Sequence, residues 1–401
     1  MDKIYPGLLK IAASGLKKVF DENQYAEQVL ERLLSSDGRL GSKDRKLVAS
    51  VFYDLVRFRR HLEELEQRQL LEKEGDWFLR VCLWLIHQGK DLNHIKETSD
   101  WNVEEIRKPL VYKGAVSVSV PDWLWEMGMV ELPDRWEKEL EALNQPAPVY
   151  IRANTLKIPA AELVSVLAME GVVVKNVPGN PDALELTDRT NVIRLGSFRK
   201  GLYEVQDAAS QRIAPFLNPE PGALIIDACA GAGGKSLHLA ALTSDQARII
   251  AMDVEGWKLE EVKKRASRAG IKSIQTELIR GNKTLKYWEG KADFLLLDAP
   301  CSGLGVLRRH PDSKWKLSPE SIEEVKETQA EILDRYPKML KPGGLLVYAT
   351  CSLMPGENEQ QVEAFLEEHP EFSLEAMERS WPSEGWDGFF MARMRKGGNG
   401  K

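Results

Sequence analysis

Two apolar runs in this chain each stop at a cysteine. FLLLDAPCSG (294–303) passes through Asp298, Ala299 and Pro300 to Cys301, and LLVYATCS (345–352) passes through Thr350 to Cys351. A cysteine ending a buried strand is ordinarily a packing residue. Here there are two, one after Asp-Ala-Pro and one after Ala-Thr, and each is followed by a serine. Packing does not ask for that pattern. Two thiols facing one pocket could do covalent chemistry, because a thiolate is the strongest nucleophile a side chain offers near neutral pH. The residues alone leave open which cysteine does which step.

A third feature is LIIDACAGAGGKS (224–236), an apolar run, a glycine-rich turn and the opening of a helix. A phosphate-binding GxxxxGK[ST] loop matches at Gly234, Lys235 and Ser236, but five places back stands Cys229, not glycine. A dinucleotide GxGxxG matches at Gly231 and Gly233 and fails at Ser236. The remaining reading is a nucleoside cofactor without a pyrophosphate, S-adenosylmethionine, with Cys229, Ala230, Gly231, Ala232, Gly233, Gly234 and Lys235 bordering it. The next strand, RIIAMD, ends on Asp253, twenty-two residues after Gly231, where a carboxylate can accept from both ribose hydroxyls. An acid there also suits NAD; the absent pyrophosphate loop decides between them. Cys229 itself reads as a small packing residue whose backbone borders the cofactor.

These segments need a scaffold. From about residue 205 onward apolar runs alternate with amphipathic ones (RIIAMD, KLEEVKKRASRAG, FLLLDAP, ESIEEVKETQAEILDRYPKML, GLLVYATC), which predicts a doubly wound, mainly parallel α/β sheet with both faces covered. Ligands of such sheets bind at the carboxyl ends of the strands, where both cysteines fall. Residues 1–144 read as helices: YAEQVLERLL and DRKLVASVFYDLVRFRRHLEEL carry apolar residues at three- and four-residue spacing, Ser42 is a candidate N-cap, and DWFLRVCLWLIHQG, with Cys82, reads as a buried helix. The prolines of LNQPAPVYIRANTLK mark a boundary, and residues 145–204 form a small α/β unit before the domain at 205–396. The tail KGGNGK reads as disordered.

Composition bounds the class. The chain has 401 residues, 43% apolar and 29% charged, with a formal net charge of −6, so any nucleic-acid contact must come from a local basic cluster. RRHPDSKWK offers one, with Arg308, Arg309 and Lys314 for phosphates and Trp315 for stacking, against the plainer reading of a solvated loop around a core tryptophan. Arg57, Arg59 and Arg60 offer another, again with a solvated face as the plain reading. None of the four cysteines forms a CxxC pair or has a histidine at metal-ligand spacing, so no metal site is expected. Their low density suits reduced thiols in a cytoplasm. The N-terminus lacks the apolar core of a signal peptide, and no run reaches the roughly eighteen apolar residues of a membrane span.

Together, CAGAGGKS, DAPCSGLGVLRRHPDSKWK and YATCSLMPGENE resemble the RNA 5-methylcytosine methyltransferases of the NOL1/NOP2/Sun family over residues 148–395. YEVQDAASQ (203–211) is similar to the family's lead into its catalytic domain, and the N-terminal helices more weakly resemble the NusB-like domain of bacterial members acting on 16S ribosomal RNA. The resemblance implies a doubly wound methyltransferase sheet preceded by a helical RNA-binding domain, and a monomer that takes RNA and S-adenosylmethionine. It implies that Cys351 adds to C6 of cytosine, that Cys301 assists removal of the C5 proton or breakdown of the adduct, and that Asp298 bonds N3 or N4 of the base and touches the cofactor, with Lys235 beside it. The family commonly has Ala-Pro-Gly-Gly-Lys where this chain has Gly231-Ala232-Gly233-Gly234-Lys235, and often Asp where Asn282 would meet the adenine. A tRNA substrate and a non-catalytic nucleotide-binding assembly factor are the competing readings; the paired cysteines speak against the second.

Overall fold

The computed structural model describes residues 4–36, 38–69, 76–188 and 190–398; of the tail, residues 399–401 lie outside this range. The chain divides into two compact units, residues 1–145 with 307–319, and residues 146–306 with 320–401.

The first unit is helical. Leu9, Leu16, Phe52, Leu55, Val81 and Leu83 meet in its core, drawn from helices Pro6–Phe20, Ser42–Arg57 and Trp77–His87. Cys82 is fully buried there, and burial pushes its thiol up to about 12, so it is a packing residue. Gly128 is required by contact: a Cβ would stand 2.1 Å from the buried Trp136 ring. Two local expectations change. Ser42 is the first helical residue and not the cap; Gly41 caps, its N–H donating to Asp44 at 3.0 Å. DRKLVASVFYDLVRFRRHLEEL, helical in its spacing throughout, breaks at Phe58 into Ser42–Arg57 and Arg59–Gln69.

The break has a cause. The Arg60 N–H, whose helical acceptor would be the Val56 carbonyl, donates instead to the Ser119 hydroxyl at 3.1 Å. The Val56 carbonyl accepts from the Trp315 indole at 2.7 Å, and the Arg57 carbonyl from the Lys314 ammonium at 2.9 Å. Lys314 also donates to Asn144 at 3.3 Å. Asp312, from the same segment, accepts from the Ala26 N–H at 2.9 Å at the start of helix Ala26–Ser36. Residues 307–319 thus supply caps to two helix ends, whose free N–H and C=O groups need partners.

The second unit holds two sheets. A four-stranded antiparallel sheet, order β2-β3-β1-β4, is built from β1 (Tyr150–Ala153), β2 (Val174–Val177), β3 (Asn180–Leu186) and β4 (Tyr203–Val205). Helix Ala160–Met169 packs Leu163 and Leu167 onto it. The large sheet contains β5 (Leu224–Asp227), β6 (Arg248–Asp253), β7 (Ile274–Leu278), β8 (Ala292–Asp298), β9 (Leu340–Thr350), β10 (Phe372–Ser380) and β11 (Phe389–Lys396), in the order β10-β11-β9-β8-β5-β6-β7. Pairing is parallel except where β11 runs against β9 and β10. Alternate residues feed two cores: Ile226, Ile250, Leu295, Leu297 and Leu346 on one face, Ile225, Ile249, Leu296, Leu345 and Val347 on the other. That is why these strands read as continuous apolar runs. The expected doubly wound sheet is present; the β10–β11 hairpin was not visible in the sequence, because EFSLEAMERS is too polar to announce a strand.

Lys314→Ala is expected to cost about 2–4 kcal/mol, because it removes a buried stem and strands two buried acceptors. Urea unfolding followed by tryptophan fluorescence measures it.

Candidate active site

Strand order reverses between β5 and β8, so their carboxyl ends open a crevice. β5 delivers the glycine turn there, β6 delivers Asp253, β8 delivers Asp298 and Cys301, and β9 delivers Cys351. In the turn Gly231 has φ +52 and Gly233 φ +84, a region that L side chains avoid, and a Cβ on Gly233 would lie 3.0 Å from both Val262 methyls. Asp253 is buried and accepts from the Gly231 N–H at 3.0 Å and the Glu255 N–H at 2.9 Å, tying the second strand to the turn.

The turn is also held from outside, by residues that sequence reading missed. Arg152 on β1 donates to the Gly234 carbonyl at 3.0 Å, and Arg265 to the Ala232 carbonyl at 2.9 Å. Glu204 on β4 anchors Arg265: its carboxylate takes Arg265 at 2.9 Å and Arg268 at 2.5 Å. Burial lowers the Arg152 pKa to about 9, with Glu204 opposing the fall. YIRAN and YEVQ carry these charges in strands, where alternation makes them look like solvated positions.

Lys235, the second residue of helix Gly234–Leu242, donates to Asp298 at 2.5 Å, and both side chains are largely shielded. Its ammonium also lies 5.7 Å from the Phe389 ring centroid. Cys229 is pushed well above the ordinary thiol range, first by burial and then by Asp227, Asp298 and Asp253, which keeps it protonated and unreactive. Asp227 is raised to about 7, chiefly by burial, against the Ser236 hydroxyl that donates to it at 2.6 Å.

The Cys301 and Cys351 sulfurs are 3.1 Å apart, and the Cys351 N–H donates to the Cys301 sulfur at 3.3 Å. The parallel pairing of β8 with β9, Asp298 opposite Ala349, brings them together. Cys301 is held well above its ordinary pKa, first by its hydrogen bond with Cys351, then by burial and the charges of Cys351 and Glu357.

Other expected residues fall as follows. Ala230 and Ala232 line the glycine turn. Asn282 is exposed at the start of helix Asn282–Trp288, and its side-chain oxygen accepts from Arg335 at 2.5 Å. The basic cluster is corrected: Lys314 and Arg308 are buried, and Lys314 and the half-buried Trp315 donate to helix-end carbonyls, while the Arg308 carbonyl accepts from Arg57 at 3.1 Å. Burial and Arg57 push Lys314 well below its ordinary range. Arg309 is half-buried in the same segment. Arg57 is buried, Arg59 pairs with Glu63 at 2.8 Å and Arg60 with Asp122 at 3.0 Å. Among the described residues no group of three or more His, Cys, Asp or Glu could hold a metal ion, and no helix is long and apolar enough to cross a membrane.

The Asp227 pKa of about 7 in the fold lies above the about 4 of an unfolded aspartate, so between those values the folded chain binds more protons and stability falls as pH rises. Asp227→Asn is expected to flatten the melting temperature between about pH 4 and pH 7, read by calorimetry.

Known proteins resemble this chain in sequence and fold. The model for the 16S rRNA methyltransferase RsmB/F matches residues 214–395, and that for the ferredoxin-like domain of RsmF/B-like methyltransferases matches residues 120–193. The ribosomal RNA small subunit methyltransferase B of Klebsiella pneumoniae (strain 342) is 38% identical over 432 residues, covering 97% of this chain and 98% of that protein. A probable ribosomal RNA small subunit methyltransferase B of Synechocystis is 31% identical, covering 95% and 97%. The Vibrio cholerae ribosomal RNA small subunit methyltransferase B is 37% identical over 286 residues, 69% of this chain and 65% of that protein. Among solved structures, PH0851 superposes with a TM-score of 0.82 at 25% identity over 98% of this chain and 100% of its own. A methyltransferase homolog protein from Pyrococcus horikoshii gives 0.63 at 28% identity over 71% and 97%. Likeness to the Klebsiella and Synechocystis proteins along nearly the whole length makes this chain an RNA methyltransferase that belongs to the 16S rRNA methyltransferase RsmB/F family.

Proposed function

We propose that the protein transfers a methyl group from S-adenosylmethionine to C5 of a cytosine in 16S ribosomal RNA, through a covalent bond between Cys351 and C6 of the base. The observation that carries this reading is the 3.1 Å approach of Cys301 to Cys351 at the carboxyl edge, one strand away from the glycine turn.

The residues fit the cofactor. No atom lies within 4 Å of a Cβ built on Gly231, which leaves the backbone there open to a ligand. Asp253 holds two backbone N–H groups and keeps lone pairs for ribose hydroxyls. Val254 and Trp257, 65% and 68% exposed just beyond Asp253, offer apolar surface to a purine. Bound S-adenosylmethionine supplies the methyl group that C5 takes.

The chain's own residues do the rest. The Cys351 thiolate adds to C6, the C5–C6 π pair moves to C4–C5 and the C4–N3 π pair onto N3, where the Lys235 ammonium, paired with Asp298, offsets the charge. Lys235, bonded to Asp298, fixes that carboxyl. After methylation the C5 proton passes to a water molecule, the C5–H pair re-forms the C5–C6 double bond and the C6–sulfur bond breaks with its pair leaving on the Cys351 sulfur. Cys301, which keeps its proton, is placed to hand it to the departing Cys351 sulfur. That geometry favours breakdown of the adduct over removal of the C5 proton as the role of Cys301. The cytosine must leave its stack to reach the crevice.

Cys351→Ala is expected to lower methyl transfer by at least about a thousandfold, measured with tritiated cofactor on ribosomal RNA. Cys301→Ala should still form the adduct and release it slowly, giving an RNA–protein band on denaturing gels. Arg265→Ala, which frees the Ala232 carbonyl, should weaken S-adenosylmethionine binding about tenfold in calorimetry. Bisulfite sequencing of ribosomal and transfer RNA, with and without the gene, reads the substrate; protection lost from a tRNA cytosine alone would overturn the rRNA assignment.

A further inference from the structure

Glu357 stands five residues past Ser352, in the short turn after β9, and is fully buried. Four donors converge on its carboxylate. Ser302 gives its N–H at 2.8 Å and its hydroxyl at 2.5 Å, Ser352 gives its hydroxyl, and Gln329 gives its amide at 3.2 Å. The two hydroxyls share one carboxylate oxygen and lie 3.2 Å from each other. Among the described residues no ion pair reaches this carboxylate. A buried anion without a counter-ion persists only where donors replace its water.

Ser302 follows Cys301 and Ser352 follows Cys351. We propose that Glu357 is a positioning residue that sets the separation of the two thiols, by gripping with one carboxylate the serine that follows each of them. The proposal rests on the two-cysteine chemistry above.

Three contacts make the grip specific to the cysteine loops. Gln329 joins Glu357 to the Pro300 carbonyl at 2.9 Å, so the residue before Cys301 is tied to the same carboxylate as the residue after it. The Ser352 hydroxyl accepts from the Met354 N–H at 3.1 Å while donating to Glu357, which fixes the turn leaving Cys351. The Glu357 carbonyl accepts from the Tyr348 hydroxyl at 2.8 Å, anchoring the turn to β9 itself. Each cysteine is therefore one peptide unit from a common fixed point. The Cys-Ser dipeptide repeats in both motifs because each loop needs its own hydroxyl to reach the carboxylate. Glutamine at this place keeps the shape but turns one acceptor into a donor, against the Ser302 N–H and the Gln329 amide.

The test uses the full-length Glu357→Gln variant and a readout independent of methylation. Diamide takes two electrons and two protons from the Cys301 and Cys351 thiols, forming the S–S bond and becoming the hydrazine; peptide mapping follows the rate. Glu357→Gln should slow cross-linking at least about tenfold and lower kcat about 10- to 100-fold, with KM for RNA and affinity for S-adenosylmethionine little changed. Wild-type cross-linking in folded Glu357→Gln overturns the proposal. Slow cross-linking with undiminished methylation keeps the grip and removes the two-cysteine chemistry instead. Should Glu357→Gln not fold, Ser302→Ala and Ser352→Ala decide: each should slow cross-linking, and wild-type rates in both overturn the proposal.

Discussion

The site depends on the register between β8 and β9. These strands are parallel neighbours although fifty residues separate Cys301 from Cys351, and their pairing puts Asp298 opposite Ala349. A slip of one residue would turn every side chain of β9 to the opposite face. Leu346 and Tyr348 pack in one core and Leu345 and Val347 in the other, so both faces resist a slip. The register is not uniform. Ala292 pairs with Leu340 but Phe294 with Leu345, so β9 bulges out over Lys341–Gly344. Gly343, at φ +81, makes the bend, and a Cβ on Gly344 would lie 3.0 Å from the Asp293 carbonyl. Lys341-Pro342-Gly343-Gly344, turn formers by residue type, are thus a bulge inside the strand.

Around that register the molecule uses buried carboxylates as ties. Glu204 gathers Arg265 and Arg268 and so, through Arg265, holds the glycine turn. Glu357 gathers two serines and a glutamine and holds the cysteine loops. The two solve the cost of a buried charge differently, one with counter-ions and one with neutral donors. Neutral donors suit a thiol pair, where an added cation would favour ionising both sulfurs and would cost Cys301 its proton.

Much of this was legible in the residues, and the reasons differ by element. The sheet was visible because strands buried on both faces must be apolar throughout. The cysteine pair was visible because each sits at a strand end with a repeated neighbour. The ties were not, since Glu204 and Glu357 occupy positions where any polar residue looks solvated, and only the fold shows what converges on them. The helix break at Phe58 was hidden for a related reason: no residue within the helix causes it. Its causes are Ser119, Lys314 and Trp315, far away in sequence.

RRHPDSKWK shows why a basic, aromatic segment is ambiguous. A cation that can neutralise a phosphate can equally satisfy a helix carbonyl, and an indole that can stack on a base can equally donate its N–H inward. Sequence cannot separate these uses, because the same groups serve both. Burial separates them: Lys314 retains 2% of its exposure and gives its ammonium to the Arg57 carbonyl and Asn144, out of reach of a phosphate at the surface. The segment follows Cys301 by only a few residues, yet its contacts belong to the helical unit. The chain therefore passes from one unit to the other at residue 145, again at 306 and again at 319. The helical unit is completed by residues made long after its own helices, and two of its helix ends stay uncapped until the stretch beyond Cys301 has joined it.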